Sequence, residues 1–140
     1  MGARHSGREA ALQMLFQLEA SGAPVDEVVA LFWKNFEADP EGKAYADALV
    51  RDCAARLADV DARIKTAATN WRIERMTRLD RNLLRLATAE LLVRLDVPRA
   101  VILDEAVELA KSFGTEESSA FVNGVLTRIA DDLGRKDADR

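Results

Sequence analysis

Apolar residues recur along this chain at spacings of three and four positions, which is the period of an amphipathic α-helix. Near the C-terminus, for example, Val122, Val125, Ile129 and Leu133 fall on one helical face. No segment shows a convincing alternation of apolar and polar residues, the pattern of a half-buried strand. The sequence therefore predicts an all-α protein of six to seven helices. Six long helices are predicted, at about 8–20, 24–36, 41–69, 77–95, 99–113 and 116–133. A short helical or turn segment is expected between the third and the fourth of these long helices.

The Asn123-Gly124 pair is a local departure from this helical pattern. Asn-Gly is usually a hairpin signal, but the apolar stripe continues on both sides of the pair without a change of phase. Glycine in a helix interior costs about 1 kcal/mol relative to alanine. We therefore expect a continuous helix that packs closely against a neighbour at Gly124.

Length and composition favour one helical domain. The chain has 140 residues, of which 49% are apolar and 31% are charged, as in soluble globular proteins. No linker rich in glycine, proline or serine divides it, so we expect a single domain of two packed three-helix-like halves, at about 1–69 and 70–134, with a charged tail at 135–140. Cys53 is the only cysteine, which excludes an intramolecular disulfide and a cysteine-based zinc site. Together with the lack of a signal peptide or an apolar span, this predicts a cytoplasmic protein.

Charge is distributed unevenly along the chain. The formal net charge of -4 by itself disfavours a polyanionic partner. The interval from 63 to 85 is nevertheless strongly basic, because its only acids are Glu74 and Asp80. Its basic residues are Arg63, Lys65, Arg72, Arg75, Arg78, Arg81 and Arg85. Two interpretations stay open: these cations converge into one basic face on an acidic body, or they are solvated and paired along the helices.

The sequence offers no credible catalytic or cofactor site. His5 is the only histidine, so neither a catalytic triad nor a two-histidine metal site can be assembled. No glycine-rich phosphate loop is present. Asp104, Glu105 and Glu108 share one helix face, but acids near a helix start are expected from the helix dipole alone. We therefore expect a protein that is not an enzyme and uses no cofactor or metal.

Two segments carry residue types that suit RNA with unpaired bases, which needs cations for phosphates and planar side chains for stacking. Arg4, His5 and Arg8 stand in a basic N-terminal stretch, either as a mobile arm that orders on RNA or as a disordered start. Trp71-Arg72 lies where the helical pattern weakens. There the tryptophan is more simply interpreted as a plug between two helical halves, and Arg72 as a phosphate ligand.

Three sequence motifs carry a family resemblance. DEAVELAKSFG at 104–114 is followed by FVNGVL at 121–126; LDRNLLRLATAELL lies at 79–92 and REAALQMLF at 8–16. They are similar, respectively, to the C-terminal signature, the central helix and the first helix of the NusB family of bacterial transcription antitermination factors. The motifs occur in family order and span nearly the whole chain, with the weakest similarity between 21 and 71. The resemblance implies a NusB-like fold.

The resemblance also implies an RNA-binding role for particular residues. In the NusB family an arginine-rich N-terminus and adjoining helices help to bind the boxA element of the nascent transcript. Arg4, His5 and Arg8 match that N-terminus by position, although members often have two adjacent arginines where this chain has Arg4-His5. Phe121 matches a phenylalanine at the family's RNA-binding surface, whereas its place at the edge of an apolar stripe would otherwise favour boundary core. Arg72 completes the expected RNA-binding set.

Partners follow from the same resemblance. It implies pairing with ribosomal protein S ten (NusE), with Asp80 and Arg81 near the contact, and read-through of terminators by RNA polymerase, chiefly in ribosomal RNA operons. It leaves both a monomer and a homodimer open. Two rival interpretations remain. A similar domain opens some ribosomal RNA cytosine methyltransferases, and a helical interaction module without an RNA role would use its arginines for protein partners or solubility.

Overall fold

The computed structural model describes residues 2–136. Over this range the chain forms seven α-helices and a short 3-10 turn at Ile73–Arg75. The all-α prediction is therefore confirmed. The helices are α1 (Ala3–Ser21), α2 (Val25–Asn35), α3 (Pro40–Ala55), α4 (Leu57–Ala67), α5 (Arg78–Val93), α6 (Arg99–Phe113) and α7 (Glu116–Asp132).

Helix α5 lies at the centre of the fold. It contacts α1, α3, α4, α6 and α7, and its Leu83, Leu84, Ala89 and Leu91 are almost completely buried. Helices α1, α2 and α3 pack on one another, whereas α6 and α7 pack on each other and on α5. Helix α4 packs mainly on α5 and α7, although it lies in the N-terminal part of the sequence. The core is thus organised around one helix that is buried against most of the others.

The predicted helix from 41 to 69 is two helices. Arg56 separates α3 from α4 with φ −110° and ψ 18°, and the hydrogen bonds continue through it, since Arg56 N donates to Asp52 O and Val60 N donates to Arg56 O. The residues around the break are ordinary helix formers, so local propensity gives no signal of it. The change of direction lets α3 pack on α1 while α4 packs on α5 and α7. Tertiary packing therefore decides this boundary.

Helix α1 begins at Ala3 and not near Arg8, because its first turns are held against the rest of the protein. Gly7 and Arg8 are both buried. A Cβ at Gly7 would lie 2.8 Å from the Gly42 carbonyl oxygen, so the missing side chain lets α1 approach the α3 backbone closely. The apolar periodicity did not include these residues because neither glycine nor arginine counts as apolar. The prediction of a mobile or disordered N-terminal arm is wrong for the described part of the chain.

Gly124, by contrast, makes no close contact. It lies inside the continuous helix α7, as predicted, but a Cβ built there would meet nothing within 4 Å. The expectation of tight packing at Gly124 is therefore wrong. Its helix-weakening cost must be balanced by something other than core packing.

A buried ion pair connects the N-terminal helix to the centre of the fold. Arg8 donates from Nε to both carboxylate oxygens of Glu90, at 2.9 and 3.0 Å, and from Nη2 to Oε2 at 2.6 Å. The Tyr45 hydroxyl also donates to Glu90, and Arg8 Nη1 donates to Glu105 at 3.2 Å. These residues come from α1, α3, α5 and α6. Because buried charges must be paired and hydrogen-bonded, the cluster fixes how four helices meet.

The electrostatics of this cluster keep its charges in place. Burial opposes the charge on Arg8, but the hydrogen bond and charge of Glu90 outweigh it, so the pKa of Arg8 rises. Burial also raises the pKa of Tyr45 well above its ordinary value, and the neighbouring Glu90 carboxylate adds to the effect. Tyr45 therefore stays a neutral hydrogen-bond donor to Glu90.

The C-terminal end of the described chain is also anchored. Arg135 is buried and donates to the carbonyl oxygens of Leu91, at 2.7 Å, and Val97. It belongs to the folded domain and not to a frayed tail. Residues 137–140 of the predicted charged tail lie outside the described residues. Of the helices described, none has the length and apolar character needed to cross a bilayer.

The helical glycines Gly7 and Gly124 should respond oppositely to alanine. Gly7→Ala should lower the free energy of unfolding, because the new methyl would overlap the α3 backbone and overpacking costs about 1–3 kcal/mol. Gly124→Ala should raise it by up to about 1 kcal/mol, because alanine favours the helix and meets open space. Urea unfolding monitored by circular dichroism measures both. Equal effects of the two substitutions would contradict the assigned close approach at Gly7.

Replacing one residue of the buried ion pair should lower the free energy of unfolding more than replacing both residues. Glu90→Leu should lower the free energy of unfolding by about 3–5 kcal/mol, because it leaves the Arg8 charge buried without its main partner. The double variant Arg8→Met, Glu90→Leu should lose much less than the sum of the single variants, since no buried charge is left uncompensated. A double-mutant cycle in urea measures this coupling. Additive losses would show that Arg8 and Glu90 act independently.

Candidate nucleic-acid interface

Two aromatic side chains, the exposed Trp71 and the partly buried Phe121, form a pair where the segment after α4 meets α7. Trp71 follows the end of α4, and its amide donates to Ala68 O at 3.0 Å. Phe121 lies in α7 at the edge of the buried face. The two rings meet edge to face, with centroids 5.6 Å apart and an interplanar angle of 68°. Trp71 is 60% exposed, so its interpretation as a plug between helical halves is wrong.

Gly124 lies beside this aromatic pair. It lies about one helical turn after Phe121 and lines the same shallow groove, whose other residues include Ala67, Ala68, Thr69, Asn70, Trp71, Ala120 and Val125. Space is free where its side chain would be. Position 124 therefore faces open space on this surface. The unusual Asn-Gly pair marked a surface feature and not a close helix contact.

Cations stand next to the aromatic pair. Arg72 directly follows Trp71; its side chain is 73% exposed and its Nη2 lies 3.3 Å from Glu74 Oε1. Exposed pairs of this kind contribute little to stability, so the guanidinium can exchange its carboxylate for a phosphate at little cost. Lys65 and Arg75 are also exposed, and neither forms an ion pair with another residue in the described range. Sequence analysis had not singled out Lys65 and Arg75 individually.

The residues predicted to bind RNA at the N-terminus are less exposed than expected. Arg8 is buried with Glu90 and has no exposed guanidinium to offer a phosphate, so its direct contact with RNA is not supported by the geometry. His5 is partly buried, and its Nδ1 lies 2.8 Å from Glu105 Oε1. Of the three predicted residues, only Arg4 has a largely accessible side chain; its Nη2 lies 3.7 Å from Asp96 Oδ2.

Tyr45 is the centre of this N-terminal group, and sequence analysis missed that role. The guanidinium carbons of Arg4, Arg8 and Arg94 lie 5.0, 5.4 and 4.6 Å from the centroid of its ring. Arg94 also donates from Nε and Nη2 to Asp96, at 3.1 and 3.0 Å. The hydrogen bond from Arg94 lowers the pKa of Asp96. Acids thus balance the cations in this group, which leaves little free positive charge.

Most of the basic interval that includes α5 is neutralised within the fold. Arg81 donates to both oxygens of Glu19, at 2.6 and 2.9 Å, and Arg85 donates to Asp61 at 2.9 and 3.0 Å and to Glu19 at 3.2 Å. Arg78 also pairs with Glu19, at 3.3 Å. The Arg81 hydrogen bond lowers the pKa of Glu19. For these arginines the pairing interpretation is correct, and a single basic ribbon is not formed.

Asp80 and Arg81, expected near a partner contact, face the interior of the protein more than its surface. Asp80 is buried, and its Oδ1 has no hydrogen-bond partner in the described structure. Arg81 is mostly buried and also donates from Nη1 to the carbonyl oxygens of Ile73 and Met76, at 3.2 and 2.9 Å. Neither side chain therefore presents a free charge at the surface. Arg81 instead holds the turn that follows Trp71 and Arg72.

Comparisons with known proteins agree with the motifs. The chain matches the NusB family model over residues 5–131. It is 64% identical over 140 residues to the transcription antitermination protein NusB of Sorangium cellulosum, covering 100% of both chains. It is 48% identical to the protein of the same name from Myxococcus xanthus, covering 93% of this chain and 96% of that one.

Solved structures show the same architecture. The NusB structure from T. maritima is similar with a TM-score of 0.83 at 36% identity, covering 92% of this chain and 91% of that chain. NusB in a crystal structure of the antitermination factors NusB and NusE with dsRNA is similar with a TM-score of 0.83 at 27% identity, covering 94% and 98%. The predicted NusB-like fold is confirmed. This chain belongs to the NusB family.

Proposed function

We propose that this protein is a transcription antitermination factor that binds boxA RNA together with ribosomal protein S ten (NusE). By doing so it would promote read-through by RNA polymerase in ribosomal RNA operons. The observation that carries the proposal is the exposed Trp71 ring, paired with the partly buried Phe121 beside Arg72, because such a surface suits RNA with unpaired bases. Family membership supports the proposal, as does the similar fold of NusB in a complex with NusE and dsRNA.

The aromatic pair and its cations divide the binding between them. A base stacks on the exposed Trp71 ring, with the partly buried Phe121 ring beside it, in the shallow groove that both residues line. Arg72, with the unpaired Lys65 and Arg75, neutralises the neighbouring phosphates and supplies the salt-dependent part of the affinity. The acidic remainder of the protein disfavours RNA elsewhere.

The N-terminal residues have unequal roles in this proposal. Arg4 exchanges its long contact with Asp96 for a phosphate, and His5 lies beside it. Arg8 acts through its ion pair with Glu90, which holds α1 in place and so positions Arg4. It is a positioning residue and not a phosphate ligand.

Asp80 and Arg81 are likewise assigned positioning roles toward the ribosomal partner. Arg81 connects α5 to Glu19 and to the Ile73–Met76 turn. That turn lies directly after Trp71-Arg72 in the chain. We therefore place the partner contact on the surface that this turn and the start of α5 present, with the Arg81 hydrogen bonds maintaining its shape.

The proposed activity is binding without catalysis, in the cytoplasm where transcripts are made. The relatives from Sorangium cellulosum and Myxococcus xanthus are named antitermination proteins, and the matches cover nearly their whole length. This favours the antitermination factor over the methyltransferase domain. The exposed Trp71 ring, paired with Phe121 beside Arg72, favours it over an interaction module without an RNA role.

Truncation of either ring should weaken RNA binding. Trp71→Ala and Phe121→Ala should each lower the affinity for a labelled boxA RNA about 5- to 150-fold, because stacking contributes about 1–3 kcal/mol per base. Arg72→Gln should weaken boxA and a scrambled RNA by similar factors and reduce the salt slope by about one. Fluorescence anisotropy at two salt concentrations, with and without NusE, measures all three effects.

Phe36→Ala is the matched control. The Phe36 ring is 51% exposed, lies at the C-terminal end of α2, and has no proposed role in RNA binding. It should leave boxA affinity unchanged. The proposal fails if Trp71→Ala and Phe121→Ala both behave like Phe36→Ala. Wild-type protein that binds boxA no better than scrambled RNA, even with NusE, would favour the interaction module.

A further inference from the structure

A second exposed apolar surface lies on α2, away from every residue assigned to RNA. Leu31 is 59% exposed and Phe36, at the C-terminal end of the helix, is 51% exposed. Phe36 stacks on Phe32 with centroids 4.6 Å apart and an interplanar angle of 22°. A groove between this surface and the end of α1 is lined by Gln17, Ser21, Val28, Leu31, Phe32 and Phe36, among others. We call it the α2 groove.

The stacked phenylalanines have a second depression on their other side. Glu9 and Gln13 of α1, together with Trp33 and Glu37, line it, and it shares Phe32 and Phe36 with the α2 groove. The apolar ridge therefore has a concave surface on each side. Helix-binding surfaces have this form, since an amphipathic helix inserts its apolar residues beside such a ridge.

The charges around the ridge are acidic. Glu27 lines the α2 groove, and Glu9 and Glu37 line the depression. None of these three carboxylates forms an ion pair with another residue between 2 and 136, and no lysine or arginine lines either concavity. Of the nearby cations, Lys43 lies over the Trp33 ring, 5.5 Å from its centroid, and Lys34 is on α2 outside both linings.

We propose that the α2 groove binds an amphipathic helix of another protein, with two or three apolar side chains on one face and lysine or arginine beside them. The apolar side chains cover Leu31 and Phe36, while the cations pair with Glu27, Glu37 and Glu9. Helix α2 has 11 residues, about 17 Å at 1.5 Å per residue. A partner helix of about three turns or more therefore covers the ridge.

The acidic charge around the α2 groove disfavours nucleic acid and a second copy of this chain as its binding partner. Nucleic acid is disfavoured because every charged residue that lines the two concavities is an acid. A second copy of this chain that paired its own α2 groove symmetrically would place the same acidic patch on both sides of the contact. Like charges across an interface oppose association. A basic segment removes this repulsion and buries the same apolar area.

Synthetic peptides on the full chain test the proposal. The probe is a labelled peptide of about 15 residues, with leucines at positions i, i+3, i+4 and i+7 and lysines flanking them. The matched peptide has glutamate in place of every lysine. The lysine peptide should bind at least about tenfold more tightly than the glutamate peptide, with amide shifts confined to α2 and the adjoining part of α1 in NMR spectra of the protein.

Substitutions on the protein complete the test. Leu31→Ser and Phe36→Ala should each weaken the lysine peptide at least about tenfold, as central apolar anchors do. Glu27→Lys with Glu37→Lys should reverse the preference between the two peptides. The control is Leu95→Ser, because Leu95 is 67% exposed in the turn after α5. It should change the affinity for neither peptide.

Several results would overturn the proposal: equal binding of the two peptides, a dissociation constant above about 1 mM for the lysine peptide, or shifts that map outside α2 and α1. A dimer in sedimentation equilibrium that Leu31→Ser dissociates would assign the groove to a second copy instead. Trp71→Ala should leave peptide binding intact. The proposal for the α2 groove and the proposal for the RNA surface are therefore tested independently.

Discussion

The pairing of Arg8 with Glu90 is the constraint on which the rest of this structure depends. A charge on α1 and a charge on the central helix are both buried, so each requires the other, and Tyr45 satisfies the same carboxylate from α3. The requirement brings the N-terminal helix, α3, α5 and α6 to one point. It also removes from the surface an arginine that sequence alone assigns to RNA.

This constraint shows what the sequence could and could not predict. Periodicity placed most helices correctly because burial of an apolar stripe is local information. It missed the first turns of α1 because Gly7 and Arg8 are buried for a close backbone approach and a charge partner. Both reasons depend on residues distant in the chain. Glu90, an acid within the apolar stripe of α5, was the one sequence signal of a buried pair.

The candidate site was predicted in part for the same reason. Arg72 lies at the surface, as the local charge suggested, whereas Phe121 is partly buried at the edge of the core beside the exposed Trp71. The composition of the sequence does not distinguish Arg81 from Arg72. Only the fold shows that Arg81 is neutralised by Glu19, whereas Arg72 is exposed. Counting charges along the chain overestimates a basic face, because it ignores the acids that the fold brings to these arginines, Glu19 from α1 and Asp61 from α4.

What remains after internal pairing is a molecule with two separate exposed aromatic surfaces, one beside cations and one beside carboxylates. The two tryptophans report on them individually: Trp71 belongs to the first, and Trp33, whose indole N–H donates to Asp47, borders the second. Indole resonances of the protein titrated with boxA RNA test the account most directly. The Trp71 indole signal should shift or broaden while that of Trp33 stays in place; an unchanged Trp71 signal at saturating RNA would contradict the assignment.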